Sequence, residues 1–186
     1  MDEVSEEIIK GCVHNDHRCK KIIYEQYYKK MYAICLRYSG DRDEAKDILQ
    51  DGFIKMFDKI KQVDSAEKFE GWIKRLFTNH CIDYLKSAYK KYIKYESDFN
   101  EYISDEALYE SDTIVFNNAG QFEISDLMDA LNKLKPDYRI IINMYAIEKF
   151  NHLEIADKLG ISHSTSRSKL MRARNALKAI LLKGKH

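Results

Sequence analysis

Apolar residues recur every three or four positions through the first half of the chain, a spacing typical of amphipathic helices. The helices that this pattern predicts span 3–13, 17–39, 42–60 and 69–92. The second and third are expected to bury apolar stripes that run from Ile23 to Tyr38 and from Ala45 to Ile60. The fourth is expected to face inward with Phe69, Trp72, Ile73, Leu76, Phe77, Cys81, Tyr84 and Leu85. Gly40 is expected to end the second helix, and Asp41 followed by Glu44 resembles a capping box at the start of the third. A polar break over 61–68 precedes the fourth helix. The first block is therefore expected to be a small helical domain.

A second helical block follows after residues 95–120, which lose the helical period. Leu127, Leu131 and Leu134 mark one helix of this block. Pro136 suits the first position of the next helix, where its missing N–H costs nothing. That helix is expected to run to about Glu148. A further helix is predicted over 151–159. After the turn Gly160-Ile161-Ser162, a basic helix is predicted to run to about Leu182.

These patterns predict an all-α protein made of two small helical domains. One proline and seven glycines argue against an all-β fold with many turns. The expected domains are 1–94 and 122–186, the second a helix-turn-helix, and the flexible acidic linker between them is expected over 95–121.

The distribution of charge is more informative than the net charge of +1. Residues 68–94 carry +5 and residues 133–186 carry +8, whereas 95–132 carry −10 without a single Lys or Arg. Two basic blocks separated by an acidic segment favour a protein that binds a polyanion. Solvated helix faces beside an acidic linker are the alternative reading of the same pattern.

Several functional classes find little support in the sequence. No apolar run approaches the roughly 18 residues of a membrane span, and the acidic start is unlike a secretory signal, so a cytoplasmic protein without membrane insertion is expected. The cluster Cys12, His14, His17 and Cys19 lacks the usual zinc spacing, so buried reduced thiols are expected. No phosphate loop, nucleophile elbow or His-Glu-x-x-His motif is present, so we expect neither an enzyme nor a cofactor.

The sharpest motif is a helix-turn-helix over 152–182. Gly160 supplies the positive φ of the turn and Ser162 can cap the second helix. On that helix the inward arc is expected to hold Ser166, Leu170, Ala173, Leu177 and Ile180. The outward residues are short hydroxyls, arginines and a methionine, which suit a DNA major groove: Ser164, Thr165, Arg167, Ser168, Met171 and Arg172.

Two weaker signals lie in the first block. The helix at 69–92 mixes a packed aromatic stripe with polar and basic residues, a combination suited to single-stranded DNA: Trp72, Lys74, Arg75, Asn79 and Lys86. The helix at 42–60 carries an isoleucine among polar and acidic residues opposite its buried stripe: Asp47, Gln50, Asp51 and Ile54. The second set favours a docking surface for a basic partner.

Together, in this order, the segments 43–57, 69–86 and 160–174 resemble the extracytoplasmic-function (ECF) group of the sigma-70 family. The resemblance implies an RNA polymerase sigma factor, with core polymerase and promoter DNA as partners and an anti-sigma factor as a possible one. By similarity, Asp47, Gln50, Asp51 and Ile54 dock on the polymerase's largest subunits. The 61–68 loop with Lys68, Trp72, Lys74, Arg75, Asn79 and Lys86 takes the single-stranded −10 element, and the outward residues of the helix-turn-helix read the −35 duplex. The acidic linker is expected to lie toward the RNA exit path.

One departure from the family pattern concerns the recognition helix. Ser166 stands where an aliphatic residue is common, which predicts weaker packing of that helix, and Met171 offers only apolar contact. The alternative function is a stand-alone helix-turn-helix regulator that acts without polymerase. Such a regulator normally binds duplex DNA unaided as a dimer.

Overall fold

The computed structural model describes residues 4–93 and 124–183, and the side chains at 87–93 and 124 fall outside that description. All regular structure in the described ranges is helical, which confirms the all-α prediction. The chain divides into two compact units. The predicted linker at 95–121 lies outside the described residues, and the domain bounds at 94 and 122 stay predictions.

Among its described residues, the first unit contains four helices and one 3₁₀ turn, and the last helix continues past the boundary of the unit at Tyr84. These are α1 (Glu6–Val13), α2 (His17–Ser39), α3 (Arg42–Lys59), the turn Ile60–Gln62, and α4 (Ala66–Ile93). Carboxylates cap two of the starts: Asp16 accepts from the Arg18 N–H, and Asp41 accepts from the backbone N–H groups of Asp43 and Glu44, each at 2.9 Å. Gly40 ends α2 with φ 74°, as its position predicts.

The predicted apolar stripes form the core of this unit. Every member of the α2 and α3 stripes is buried: Ile23, Tyr27, Met31, Ile34 and Tyr38, and Ala45, Ile48, Leu49, Phe53, Met56 and Ile60. α4 adds Phe69, Ile73, Phe77, Cys81 and Leu85. Trp72, Leu76 and Tyr84, predicted to face inward, are only half-buried because they lie at the edges of the α4 stripe.

Two helix starts differ from the prediction. α1 begins at Glu6 rather than at residue 3, because Ser5 is its N-cap and accepts from the Ile8 N–H. α4 begins at Ala66 rather than at 69, which shortens the predicted polar break to 61–65. The Ala66 N–H donates to the side chain of Glu6, which lies 60 positions earlier in the chain. The local sequence around Ala66 therefore does not reveal this cap.

Replacing either of two glycines of this unit with alanine is expected to change the free energy of unfolding in opposite directions. A methyl group at Gly52 of α3 would lie 2.4 Å from Phe77 Cε1, inside the core, whereas one at Gly71 of α4 would meet no heavy atom within 4 Å. We expect Gly52→Ala to lower the free energy of unfolding by about 1–3 kcal/mol through overpacking. Gly71→Ala is expected to raise it by up to about 1 kcal/mol through helix propensity. Urea denaturation measures both, and equal stabilisation by the two would contradict the close approach at Gly52.

Over its described residues 124–183, the second unit also shows four helices. They are α5 (Ile124–Asn132), α6 (Pro136–Ile142) continued by a π-helical turn (Asn143–Ile147), α7 (His152–Leu159) and α8 (His163–Lys183). Pro136 lies in the first turn of α6, as expected. The predicted helix to Glu148 is correct in extent, but its last turn is wound more widely, and Lys149 adopts φ 62° immediately after it.

α7 and α8 form the predicted helix-turn-helix. Asn151 and Glu154 make a reciprocal capping box at the start of α7, which the sequence reading missed. Gly160 has φ 67° in the turn, and Ser162 Oγ accepts from the Thr165 N–H at 3.0 Å, so both predicted turn residues are confirmed. Four residues of the predicted inward arc of α8 are buried: Ser166, Leu170, Ala173 and Leu177. The fifth, Ile180, is half-buried.

Candidate docking surface and nucleic-acid interfaces

The outward side of α3 forms an acidic ridge. Its predicted residues are all exposed and lie within an arc of about 100°: Asp47, Gln50, Asp51 and Ile54. Ile54 is 56% exposed, the most of any large apolar side chain named in this unit. Asp58 lies on the same arc and is also exposed. Sequence reading missed Asp58, although its position one turn after Ile54 marks it.

A row of tyrosines on α2 lies along one side of this ridge. Tyr24, Tyr28 and Tyr32 follow one another at single-turn spacing, with ring centroids 5.4 Å and 6.1 Å apart. Tyr24 also packs on Phe53 of α3, with the ring centroids at 4.7 Å. Sequence reading assigned these tyrosines no role, because they fall between the buried stripe and the solvent.

Polar groups of α4 border the other side of the ridge. Lys55 Nζ donates to His80 Nδ1 at 2.9 Å. Burial, and then the charge of Lys55, lower the pKa of His80. Burial raises the pKa of Tyr84, and the carboxylates of Glu44, Asp47 and Asp51 raise it further. The ridge therefore carries a negative field that extends to α4.

The candidate −10 residues fall on two different faces of α4. One face, an arc of about 60°, carries five of the six: Lys68, Trp72, Arg75, Asn79 and Lys86. Lys74 lies roughly 130° from the centre of this arc. Its ammonium is 2.7 Å from Glu70 Oε1, and the same oxygen is 3.1 Å from Lys30 of α2. The structure therefore ties Lys74 to the α2–α4 contact and does not bring it to the face of the other five.

The five residues of that face differ in exposure. Lys68 and Arg75 are exposed, whereas Trp72, Asn79 and Lys86 are half-buried. Trp72 packs its ring against Phe69 at 5.9 Å between centroids, which holds the indole in place and leaves part of it open. An anchored aromatic surface beside exposed cations is the arrangement that unstacked bases and their phosphates need.

The six predicted −35 residues share the outward arc of α8. Ser164 is exposed, and the other members are half-buried: Thr165, Arg167, Ser168, Met171 and Arg172. The hydroxyls are already engaged. Ser162 Oγ lies 2.9 Å from Ser164 Oγ and 2.7 Å from Thr165 Oγ1, and the Ser168 hydroxyl donates to the Thr165 carbonyl at 3.2 Å. Asn175 and Lys178, which the sequence reading left out, are exposed on the same arc.

Two of the seven cations in 163–186 serve the fold rather than this arc. Lys169 donates to the buried carboxylate of Asp137 on α6 at 3.0 Å. Arg174 is 3% exposed and lies over the ring of Tyr145, 5.2 Å from its centroid. Their charges nevertheless add to the positive potential of the unit.

The structure shows how α8 accommodates a serine at position 166. Ser166 is fully buried, and its Oγ is 3.0 Å from Nδ1 of His152, the first residue of α7. The His152 ring also packs on Tyr145 and His163, with centroid distances of 4.9 Å and 5.8 Å. A hydrogen bond thus joins the two helices at the position where the sequence predicts weaker packing.

Acidification is expected to destabilise the second unit through His152. Burial, followed by the charges of His163 and Arg167, lowers the pKa of His152 below its ordinary 6.5. The unfolded chain therefore binds more protons, and stability falls as the pH drops from 6.5 through the lowered pKa. His152→Gln keeps an acceptor for Ser166 but cannot titrate. Urea titrations at pH 7.5 and 5.5, followed by NMR signals of α7 and α8, should show a smaller loss in this variant; an equal loss would contradict the assignment.

The Cys–His cluster of the sequence shows ordinary side-chain contacts. Burial, and then the neighbouring Cys19, raise the pKa of the Cys12 thiol to about 11. His14 Nδ1 lies 2.8 Å from the Lys10 carbonyl oxygen. Across the described ranges, 4–93 and 124–183, no three His, Cys, Asp or Glu residues come together as metal ligands. In those same ranges no helix has the length and apolar character of a membrane span.

Comparison with known proteins gives two family matches. Residues 23–91 match sigma-70 region 2, and residues 124–177 match sigma-70 region 4. The ECF RNA polymerase sigma factor SigW of Bacillus subtilis (strain 168) is 28% identical, over 96% of this chain and 97% of that protein. SigM of the same strain, another ECF sigma factor, is also 28% identical, over 87% of this chain and 94% of that protein.

Among solved structures, the chain is also similar to the sigma factor RpoE in complex with the anti-sigma factor NepR from Bartonella quintana. The two chains are 21% identical, and the match covers 87% of this chain and 95% of the RpoE chain, with a TM-score of 0.48. Because both matched regions occur in family order and curated relatives align over nearly the whole length, the chain belongs to the ECF group of the sigma-70 family of RNA polymerase sigma factors.

Proposed function

We propose that this sigma factor binds core RNA polymerase through the α3 ridge, melts and reads a −10 element through α4, and reads a −35 element through α8. The observation that carries the proposal is the pairing of regions 2 and 4 on one chain, each with a cationic outward helix face. One chain with two such faces is suited to contacting two separate stretches of a single promoter.

The α3 ridge is proposed to take a basic helical element of the polymerase's largest subunits. The carboxylates Asp47 and Asp51 supply complementary charge, Gln50 supplies a hydrogen-bonding amide, and the exposed Ile54 supplies apolar contact. Opposite charges across an interface speed association and fix its orientation, while the apolar anchor contributes affinity. Asp58 extends the same ridge and is proposed to take part.

The common face of α4 is proposed to hold the unpaired −10 strand. Trp72 offers a fixed π-surface for a base, Lys68, Arg75 and Lys86 offer charge for phosphates, and Asn79 offers an amide for a base edge. Extruding a base costs a few kcal/mol, which stacking and phosphate contacts offset. Lys74 is proposed to add general positive charge, since its ammonium is engaged with Glu70.

The outward arc of α8 is proposed to enter the major groove at −35. Arg172 and Arg167 are the strongest candidates for base contact, because a guanidinium can pair with a guanine through two hydrogen bonds. Met171 is proposed to touch an apolar group such as a thymine methyl, and Ser164 a phosphate.

The same proposal covers the type of activity, the need for a cofactor, the cellular compartment and further partners. The chain acts by binding rather than by catalysing a reaction, needs no cofactor, and works in the cytoplasm, where its polymerase is. An anti-sigma factor remains a possible partner. The stand-alone regulator is disfavoured because region 2, matched over residues 23–91, has no place in that mechanism.

Transcription from a genomic promoter pool tests the proposal. Core polymerase with and without the chain transcribes the pool, and the 5′ ends of the products are sequenced. We expect a new set of start sites, preceded by one shared pair of −35 and −10 sequences, only when the chain is present. Identical start sites with and without the chain would contradict the proposed function.

A further inference from the structure

The first turn of α4 is capped by a side chain that is distant in the sequence. The Ala66 N–H donates a hydrogen bond to Glu6 Oε1 of α1 at 2.8 Å, across 60 positions of sequence. The first N–H groups of a helix have no partner within the helix and need an acceptor from elsewhere. The negative charge of Glu6 also suits the positive end of the α4 dipole. α1 therefore contributes directly to where α4 begins.

Glu6 is presented by a firmly held helix. Ser5 caps α1, and Ile9 and Cys12 are buried at 6% and 3% exposure. α1 packs against α2 and against the 3₁₀ turn Ile60–Gln62. The connection over 61–65 is consequently held at both ends by α1: through packing at the turn, and through the Glu6 hydrogen bond at Ala66.

The residues proposed for the −10 element follow immediately on this start. Lys68 lies in the first turn of α4 and Trp72 one turn later, on the same face. Phe69 and Ile73 are fully buried and fix the helix from its second turn onward. Loss of the Glu6 cap is therefore expected to loosen the 61–65 connection and the Lys68 turn while the rest of α4 stays in place.

We propose that Glu6 is a positioning residue for −10 recognition, whose carboxylate holds the start of α4 and the adjoining loop in the conformation that accepts the unpaired strand. This inference rests on the proposed function of α4. Nothing in the family matches covers Glu6, because the region 2 match begins at residue 23.

The test compares four holoenzymes, assembled with the wild type, Glu6→Ala, Glu6→Gln and Glu7→Ala. Glu7 is the matched control, since it lies exposed in the same first turn of α1 and loses the same charge. Opening of a duplex promoter is followed by 2-aminopurine fluorescence in the −10 element, and affinity is measured for a −10 single strand and for a −35 duplex fragment.

We expect Glu6→Ala to slow opening and weaken single-strand binding by about three- to tenfold, as for the loss of one helix cap, with −35 affinity unchanged. Glu6→Gln keeps an acceptor and should restore both, and Glu7→Ala should behave as the wild type. Hydrogen exchange of the free chain should show faster exchange over 61–68 in Glu6→Ala alone.

Two results would overturn the inference. In one, exchange over 61–68 accelerates but opening stays at the wild-type rate, so that the cap exists without positioning the −10 residues. In the other, Glu6→Gln or Glu7→Ala lowers the opening rate and the single-strand affinity as much as Glu6→Ala does. The negative charge, rather than the hydrogen-bond acceptor, would then be what matters. A wild-type holoenzyme that opens no promoter would instead overturn the proposed function, and the inference with it.

Discussion

Asp51→Lys is expected to weaken binding to core polymerase by about 2–5 kcal/mol, the range found when one partner of an interfacial charge pair is lost. Asp51 is exposed on the α3 ridge, so the change disturbs no buried contact and the fold should survive. The substitution replaces an attraction with a repulsion at the proposed basic partner. Affinity for core polymerase, measured by fluorescence anisotropy of the labelled chain, gives the effect directly.

Glu7→Lys is the control for this reversal, because it makes the same charge change at an exposed position of a different helix, α1. Circular dichroism and the urea midpoint should show that both variants remain folded. Wild-type affinity in Asp51→Lys, or equal losses in the two variants, would remove the ridge from the docking surface.

The second large effect is expected from Arg172→Ala, at about 1–3 kcal/mol and confined to particular −35 bases. Arg172 lies on the outward arc of α8, where a guanidinium can pair with a guanine through two hydrogen bonds. Lys178→Ala is the matched comparison, since Lys178 lies exposed on the same arc nearer the helix end. Its loss should weaken binding evenly across sequences, as for a phosphate contact.

Competition among single-base variants of a −35 element, with holoenzyme in each case, separates these two patterns. Relaxed preference at one or two positions with Arg172→Ala supports base reading. An even loss with Arg172→Ala would make Arg172 another phosphate contact and leave the source of −35 specificity elsewhere on α8.

Much of the first unit was predictable because its helices are long and their apolar period is strong. The stripes of α2 and α3 are buried to the last residue, from Ile23 to Ile60. The start of α4 was not predictable in the same way. Its cap comes from Glu6, and a reading of local sequence has no means of joining positions 60 residues apart.

Charge counting has a similar limit. Lys74, Lys169 and Arg174 contribute to the basic blocks that first indicated a nucleic-acid partner. In the folded chain Lys74 pairs with Glu70, Lys169 with Asp137, and Arg174 is buried against Tyr145. Only one of these pairs, Glu70 with Lys74, lies at helical i,i+4 spacing and was open to prediction.

The packing of Ser166 shows a further limit. From the sequence, the hydroxyl of Ser166 predicts weaker packing of α8 than an apolar side chain would give. The structure supplies His152 as a hydrogen-bond partner at 3.0 Å, so the serine is buried and satisfied. A buried polar residue is an expected weakness only while its partner is unknown.

The most direct test of the account is binding of one promoter fragment, identified from the pool, by the chain alone, by core polymerase alone, and by the two together. We predict tight and sequence-specific binding only for the combination, with the −10 region opened to permanganate. If the chain alone binds the fragment just as tightly and specifically, and core polymerase adds nothing, the account is contradicted.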